Sequence, residues 1–494
     1  MTTFASKIYS IMNDDFDEFE SSDEKEIIAR FEKAMAYGAN SFFDVEEFEI
    51  IINYYLDEGE LESVKAALSM ALGQHPGSVT FLLKEAQLYA SDNNSDKALA
   101  LLDRLETLEP ANAEIHLTRG AIYSKLNKHL RAIDEFRKSL PLSDNPDDIL
   151  TNIAIEYERL EDYDSAIKNL LRAIEKNPEN EDAINELAIC FEQANKHQMA
   201  LDFFTEYVDK YPYSFDGWFN LGIAHSNLGD FENAIDSYDF AIAIQPDYAA
   251  TYFNKGNALA NMNKLDEAIE SYNETFLYES GDPQTYYYIG ECYEKMNNFD
   301  QALQYYQYAL NIYPNMTEAL VGMGLIHDNK GNVQKSIEYM NKVLEIEPEN
   351  AEYNFFYADL LRKNGKTEES IEFYLNAKVL DSENWLVYID LAETLELLNR
   401  HQEAISILHE GMEAFPTNAS IAFNLSLAYN REGKSNEALS WFHLAVHFDS
   451  TLIKSFVESM SDAESDSEFI NLMVNQYMGK ISELPNENFN SGLN

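Results

Sequence analysis

His443 and His447 stand four residues apart, a spacing that on a helix brings two imidazoles to one face, where they could hold a metal ion. No third ligand follows in phase, and His443 adjoins the packing residue Phe442, so the two read as surface histidines and no metal is expected. The 87 acidic side chains supply many close carboxylate pairs, but in so acidic a chain such pairs belong to solvated faces rather than to general acid–base work. There is no glycine-rich phosphate loop with its lysine, no HExxH and no paired CxxC. The expectation is a chain that is not an enzyme and carries no cofactor. The chemistry that does recur is that of recognition: an aromatic residue followed by asparagine at Phe219–Asn220, and again at Phe253–Asn254. An asparagine amide offers both a donor and an acceptor, so it can hold an extended peptide backbone without reading its sequence. The ring beside it adds contact area at low entropic cost.

Positioning such pairs falls to a phrase seen best at residues 215–248, FDGWFNLGIAHSNLGDFENAIDSYDFAIAIQPDY, which returns every 34 residues. Counted from Val45 it fits twelve times without a gap and ends at Leu452. Place eight is small in eleven of the twelve units, as at Ala154, Gly222 and Gly324, and place twenty is small in eleven, as at Ala234 and Ser336. Place twenty-four is large in every unit, as at Leu170, Tyr238, Tyr306 and Met340. Small residues on both helices let two axes approach, and the large one fills the space beside them. Places four, seven, eight and eleven (Trp218, Leu221, Gly222 and His225) share one face of a first helix, and places twenty, twenty-four and twenty-seven mark a second. Place fifteen is glycine or asparagine in eleven units, with Glu161 the exception; these residues tolerate the left-handed conformation that ends a helix. Proline closes the second helix at place thirty-two in eight units, among them Pro178, Pro246 and Pro348. The pattern predicts an all-α chain, a solenoid that grows by stacking helix pairs.

Cys190 and Cys292 occupy the same place in units three apart, and a layer one helix thick is roughly 10 Å, so the thiols are expected to be beyond disulfide reach and buried in the core. A reducing, cytoplasmic setting fits them. The net charge of −52 repels phosphate backbones and anionic headgroups, which argues against nucleic acid and membrane surfaces as partners. No stretch approaches ~20 consecutive apolar residues, so no membrane insertion is expected.

The residues at places eight, twenty, twenty-seven and thirty-two, such as Gly222, Ala234, Ala241 and Pro246, resemble the small–small–small–proline signature of the tetratricopeptide repeat. The resemblance runs in unbroken register across residues 45–452. It departs at Asp144, Ser280, Ser382 and Ser450, which replace the proline, and at Leu105, Tyr207 and Val343, which are large at place twenty-seven. It implies a right-handed α-solenoid superhelix of antiparallel helix pairs, with places two, five, six, nine, twelve and thirteen of the first helices facing a concave groove. Phe219, Asn220, Phe253, Asn254, Asn257 and Tyr287 then form the candidate peptide-binding patch. Place two is acidic at seven positions, Asp216, Glu318 and Glu352 among them, and holds no lysine; neither does place five. A clamp for acidic C-terminal tails, which the family builds from groove lysines and arginines, is therefore not expected. Places two, nine, twelve and thirteen carry sixteen acids and six bases, about the ratio of the whole chain, so a basic segment would be attracted chiefly through its association rate. RNA binding by a related repeat of different period is set aside on both period and charge.

The expected layout is a disordered acidic leader at 1–21, a capping helix within 22–44, twelve repeats at 45–452, capping helices at 453–479 and a disordered tail at 480–494. Met12 is a second candidate start of translation. Ile27, Ile28, Phe31, Ala34 and Met35 mark the apolar face of the first capping helix, which Gly38 stops. The expected function is a non-catalytic protein–protein interaction scaffold that binds a peptide or protein segment in its acidic groove. The alternative is a substrate-targeting or regulatory subunit of an enzyme complex whose catalytic chain is separate.

Overall fold

The computed structural model describes residues 22–37 and 41–449, among which lie 25 helices and no strand. The sequence expectations for 1–21, Gly38, 453–479 and 480–494 fall outside the described residues. The chain divides into two compact units, Met1–Met262 and Asn263–Asn494.

The first unit opens with the helix Ser22–Tyr37, on which Ile28, Phe31 and Ala34 are buried. Phe31 meets Phe43 at 6.0 Å and Tyr55 at 5.9 Å between ring centroids. Met35, expected on the same face, is 47% exposed; the buried stripe runs along the row Ile28–Phe31–Ala34 and leaves it to one side. Paired helices follow, from Val45–Asp57 with Leu61–Gln74 to Phe215–Asn227 with Phe231–Ile244, and the unit closes on Ala249–Asn261. The second unit runs from Leu265–Thr275 through pairs such as Pro283–Lys295 with Phe299–Ile312 to Ala419–Arg431 with Ser435–Phe448.

The turn inside each pair is set by place fifteen. Asn93, Asn127, Asn195, Asn263, Asn297 and Asn399 all have φ between 53° and 60°, and so does Glu161, at 59°. There the Asp162 N–H donates to the Tyr157 carbonyl at 2.9 Å and the Glu161 N–H to the Glu158 carbonyl at 2.8 Å, which satisfies carbonyls left open at the helix end. The left-handed region costs a residue with a Cβ about 1–2 kcal/mol. Glu161→Gly is therefore expected to raise stability by about 1 kcal/mol in urea melts; a loss would mean that the Glu161 side chain contributes a contact that outweighs its strain.

Side chains cap many of the first helices. Ser78, Asn180, Ser214, Asp282, Asn350 and Asn418 each accept from a backbone N–H in the first turn. Second helices with a proline at place thirty-two stop two residues before it, as at Lys176, Ile244 and Ile346. Of the four second helices that lack this proline, two are shorter, His129–Ser139 and Leu265–Thr275, and two keep their full length, to Leu380 and to Phe448.

The core follows the small–large pattern. Ala132, Ala166, Ala234, Ala302, Ser336 and Ser370 are buried, as are the large partners Phe136, Leu170, Phe204, Tyr238, Tyr306, Met340 and Tyr374. Cys190 and Cys292 are buried free thiols, one in each unit. Burial pushes the Cys190 thiol up to about 12 and the Cys292 thiol up to about 11, so neither is a ready nucleophile. No helix among the described residues is long and apolar enough to cross a membrane.

Candidate peptide-binding clefts

Within the first unit, Phe219 sits in a cluster of rings. It stacks on Phe215 with centroids 5.7 Å apart, and Tyr248 stands edge-on to both, at 5.0 Å from Phe215 and 5.5 Å from Phe219. The cluster forms one wall of a cleft of about 840 Å³ that also takes in Glu179, Tyr211 and Tyr213. Tyr213 is 88% exposed on the connection between His197–Lys210 and Phe215–Asn227. These connection tyrosines lie outside the patch read from the sequence, because they stand between helices rather than on a helical face.

Asn220 is only 4% exposed. Its amide donates to the Asn185 Oδ1 at 2.9 Å, and the Asn185 amide in turn donates to Asp216 at 2.9 Å. Phe253, Asn254 and Asn257 share the helix Ala249–Asn261 and are half-buried. The Asn257 carbonyl accepts from the Asn261 amide at 2.8 Å. Among the described residues the Asn254 amide has no hydrogen-bond partner. The structure thus separates two asparagines that share place six: one is spent on the neighbouring helix, the other is available.

Tyr287 belongs to the second unit. It stacks on Tyr306 at 5.7 Å and lines a cleft of about 590 Å³. Side chains of three successive first helices meet there: Tyr287, Glu291 and Glu294 from Pro283–Lys295, Glu318 and Leu325 from Thr317–Asn329, and Glu352 and Tyr353 from Ala351–Lys363. The buried Tyr306 donates its hydroxyl to Glu294 at 2.6 Å. Burial raises the Glu294 carboxyl above its ordinary range, although the Tyr306 bond opposes this. Gly322 makes the floor possible, since a Cβ there would lie 2.6 Å from the Tyr306 Cε2.

Part of the charge elsewhere is paired within the chain. Arg119 reaches Glu106 at 2.8 Å and Glu135 at 3.2 Å, and Glu135 also meets Lys138 at 2.7 Å and the His116 ring at 2.9 Å. The His447 ring lies 5.8 Å from that of Phe448. Among the described residues no group of three or more His, Cys, Asp or Glu side chains is placed to hold a metal ion.

Family models described as Tetratricopeptide repeat match residues 53–147 and 151–215, 215–248 and 283–316, and 249–274 and 317–350, together more than half of the chain. Comparison with curated proteins finds no match. Among solved structures, the APC/C hetero-tetramer Cut9–Hcn1 is similar at 14% identity and a TM-score of 0.39, over 83% of this chain and 99% of that one. YrrB, described as a TPR protein with an unusual peptide-binding site, is similar at 21% identity and a TM-score of 0.32, over 37% of this chain and 95% of its own. MamA is similar at 26% identity and a TM-score of 0.30, over 33% and 90% respectively. By its repeats and its paired helices, the chain belongs to the tetratricopeptide repeat family and has that family's character of a protein–protein interaction scaffold.

Proposed function

We propose that the chain captures an extended protein or peptide segment on the face its first helices share, with no catalytic step of its own, in the cytoplasm. The observation that carries this reading is the second-unit cleft, in which three successive first helices present side chains to one trough. In the first unit the contact surface is Phe219, Phe253, Asn254 and Asn257, with Asn220 acting from behind by fixing Asn185. Tyr287 serves the second unit's cleft. A segment bound through backbone amides to Asn254 fits the unspent amide there. The acidity of the chain favours a basic segment, mainly by speeding encounter.

Proximity labelling in the native cell, with Asn254→Ala and Asn220→Ala beside the wild type, tests the reading. Asn254→Ala is expected to lose partners while its melting curve stays unchanged. Asn220→Ala is expected to lose about 1 kcal/mol of stability through the broken bond to Asn185. If Asn254→Ala labels every wild-type partner undiminished, the first-unit surface is wrong.

A further inference from the structure

We propose that the cleft of the second unit is an anchor for one arginine or lysine side chain of a bound polypeptide segment, held between Glu318 and Glu352 and laid against the rings of Tyr287 and Tyr353. This rests on the scaffold reading above and adds the chemistry of what is held.

The charge in the cleft is one-sided. Four glutamates line it, Glu291, Glu294, Glu318 and Glu352, against one lysine, Lys295. That lysine is already paired with Glu291 at 2.8 Å, and Glu294 already accepts the Tyr306 hydroxyl. Glu318 and Glu352 have neither an ion pair nor a hydrogen bond among the described residues. Each stands in the first turn of its helix, where the helix dipole favours negative charge, and each is exposed to solvent. The same lining includes the apolar or aromatic side chains of Tyr287, Val321, Leu325 and Tyr353, beside the amides of Asn297 and Asn329. A long cationic side chain suits this combination, because its stem lies on apolar surface while its head meets carboxylate and ring face together. A guanidinium suits it best, since it stacks on aromatic faces and pairs with carboxylates in a fixed fork. Burial, and then neighbouring glutamates that include Glu318, hold the Tyr287 and Tyr353 hydroxyls above the ordinary tyrosine range. The volume, about 590 Å³, lies within the roughly 300–1,000 Å³ typical of ligand clefts.

A chain of charge −52 attracts any basic peptide weakly and from a distance, so the test separates a site from a field. A random dodecapeptide display library is panned on the immobilised full chain, and the enriched peptides are synthesised and titrated by fluorescence anisotropy. Two charge-matched variants are compared with the wild type. Glu318→Gln with Glu352→Gln alters the cleft; Glu338→Gln with Glu345→Gln alters exposed acids on the second helix Val333–Ile346. Enriched peptides are expected to share an arginine or lysine at one fixed position. Changing that residue to glutamine, or using the cleft variant, is expected to weaken binding about tenfold, close to 1.4 kcal/mol. The second-helix variant is expected to stay within about twofold of wild type. Peptides enriched without a shared basic residue, or equal losses in the two variants, overturn the anchor and leave the scaffold reading standing. Enrichment of no peptide at all overturns both.

Discussion

Gly222→Val is expected to destabilise the first unit by about 3 kcal/mol, while Gly324→Ala leaves the second unit unchanged or stabilises it by up to about 1 kcal/mol. Both glycines stand at place eight, in mid-helix, where alanine is normally the better residue. What differs is the partner at place twenty-four. A Cβ on Gly222 would lie 2.6 Å from the Cδ1 of Tyr238, a ring that is almost fully buried. On Gly324 it would lie 3.4 Å from the Cγ and Sδ of Met340, which is ordinary contact with a flexible side chain. The ring of Tyr238 has nowhere to go, because it also touches Phe219 and sets its hydroxyl 3.2 Å from Ser226. Ala358 shares a unit with Tyr374 and Ala188 with Phe204, so ring placement, not ring size alone, demands the glycine. Hydrogen-exchange mass spectrometry suits the measurement, since long repeat arrays need not unfold in one step. Protection should fall around Phe215–Ile244 in Gly222→Val. A double variant, Gly222→Ala with Tyr238→Leu, recreates the pairing of Ala154 with Leu170 and is expected to recover most of what Gly222→Ala alone loses. Equal protection in Gly222→Val and wild type would show that Tyr238 moves aside freely.

Much of this fold is legible in the chain because its determinants are local and repeat. Place fifteen forecasts a left-handed turn, and the forecast extends to Glu161, where the residue type argued against it. Proline at place thirty-two marks where second helices stop, but without it the helices before Asp144 and Ser280 stop earlier while those ending at Leu380 and Phe448 stop at the same place. The binding surfaces are less legible, for a geometric reason. A period assigns each residue a place on its own helix, but it does not say what the next helix brings opposite. Asn220 and Asn254 are equivalent by place, yet only Asn220 finds an amide, Asn185, to bind. Tyr238 and Tyr306 read as core fillers, yet their hydroxyls reach Ser226 and Glu294. Both pairs are twelve residues apart, but a polar residue at place twelve is no sufficient signal, since Tyr374, with Arg362 at that place, makes no such bond. Tyr211 and Tyr213 gave no periodic signal, since they belong to the connection between successive helix pairs of the first unit.

Polar groups at place six have a further consequence at Asp390, which stands on the helix Leu386–Leu397. Burial pushes its carboxyl up to about 6, from the 3.8 of a free aspartate. Arg362 opposes this from 3.8 Å but is engaged by Asp359 at 3.0 Å and Glu393 at 3.3 Å, and both acids add to the rise. Lys363 is likewise taken by Asp359 and Asp328, each at 3.0 Å. The folded chain therefore holds the Asp390 proton more tightly than the unfolded chain does. Below about pH 4 both states are protonated and the group costs nothing. Between about pH 4 and pH 6 the unfolded state ionises first, so the contribution of Asp390 to stability falls as pH rises. Above pH 6 the full cost remains, on the order of 2 kcal/mol once solvent screening of this partly exposed carboxyl is allowed for. Asp390→Asn removes that charge and keeps the shape, and Arg362 retains Asp359 and Glu393. The variant is expected to be more stable than wild type by about 1–2 kcal/mol at pH 7.5, less than the full shift because the Arg362 attraction is lost too. Near pH 4 the advantage should vanish. Urea melts of both proteins across this range, taken as a difference at each pH, cancel the titration of the other carboxylates. A gain that is the same at pH 4 and pH 7.5 would place its cause in packing, and a loss at pH 7.5 would mean that the ionised Asp390 holds Arg362 in place at a net benefit.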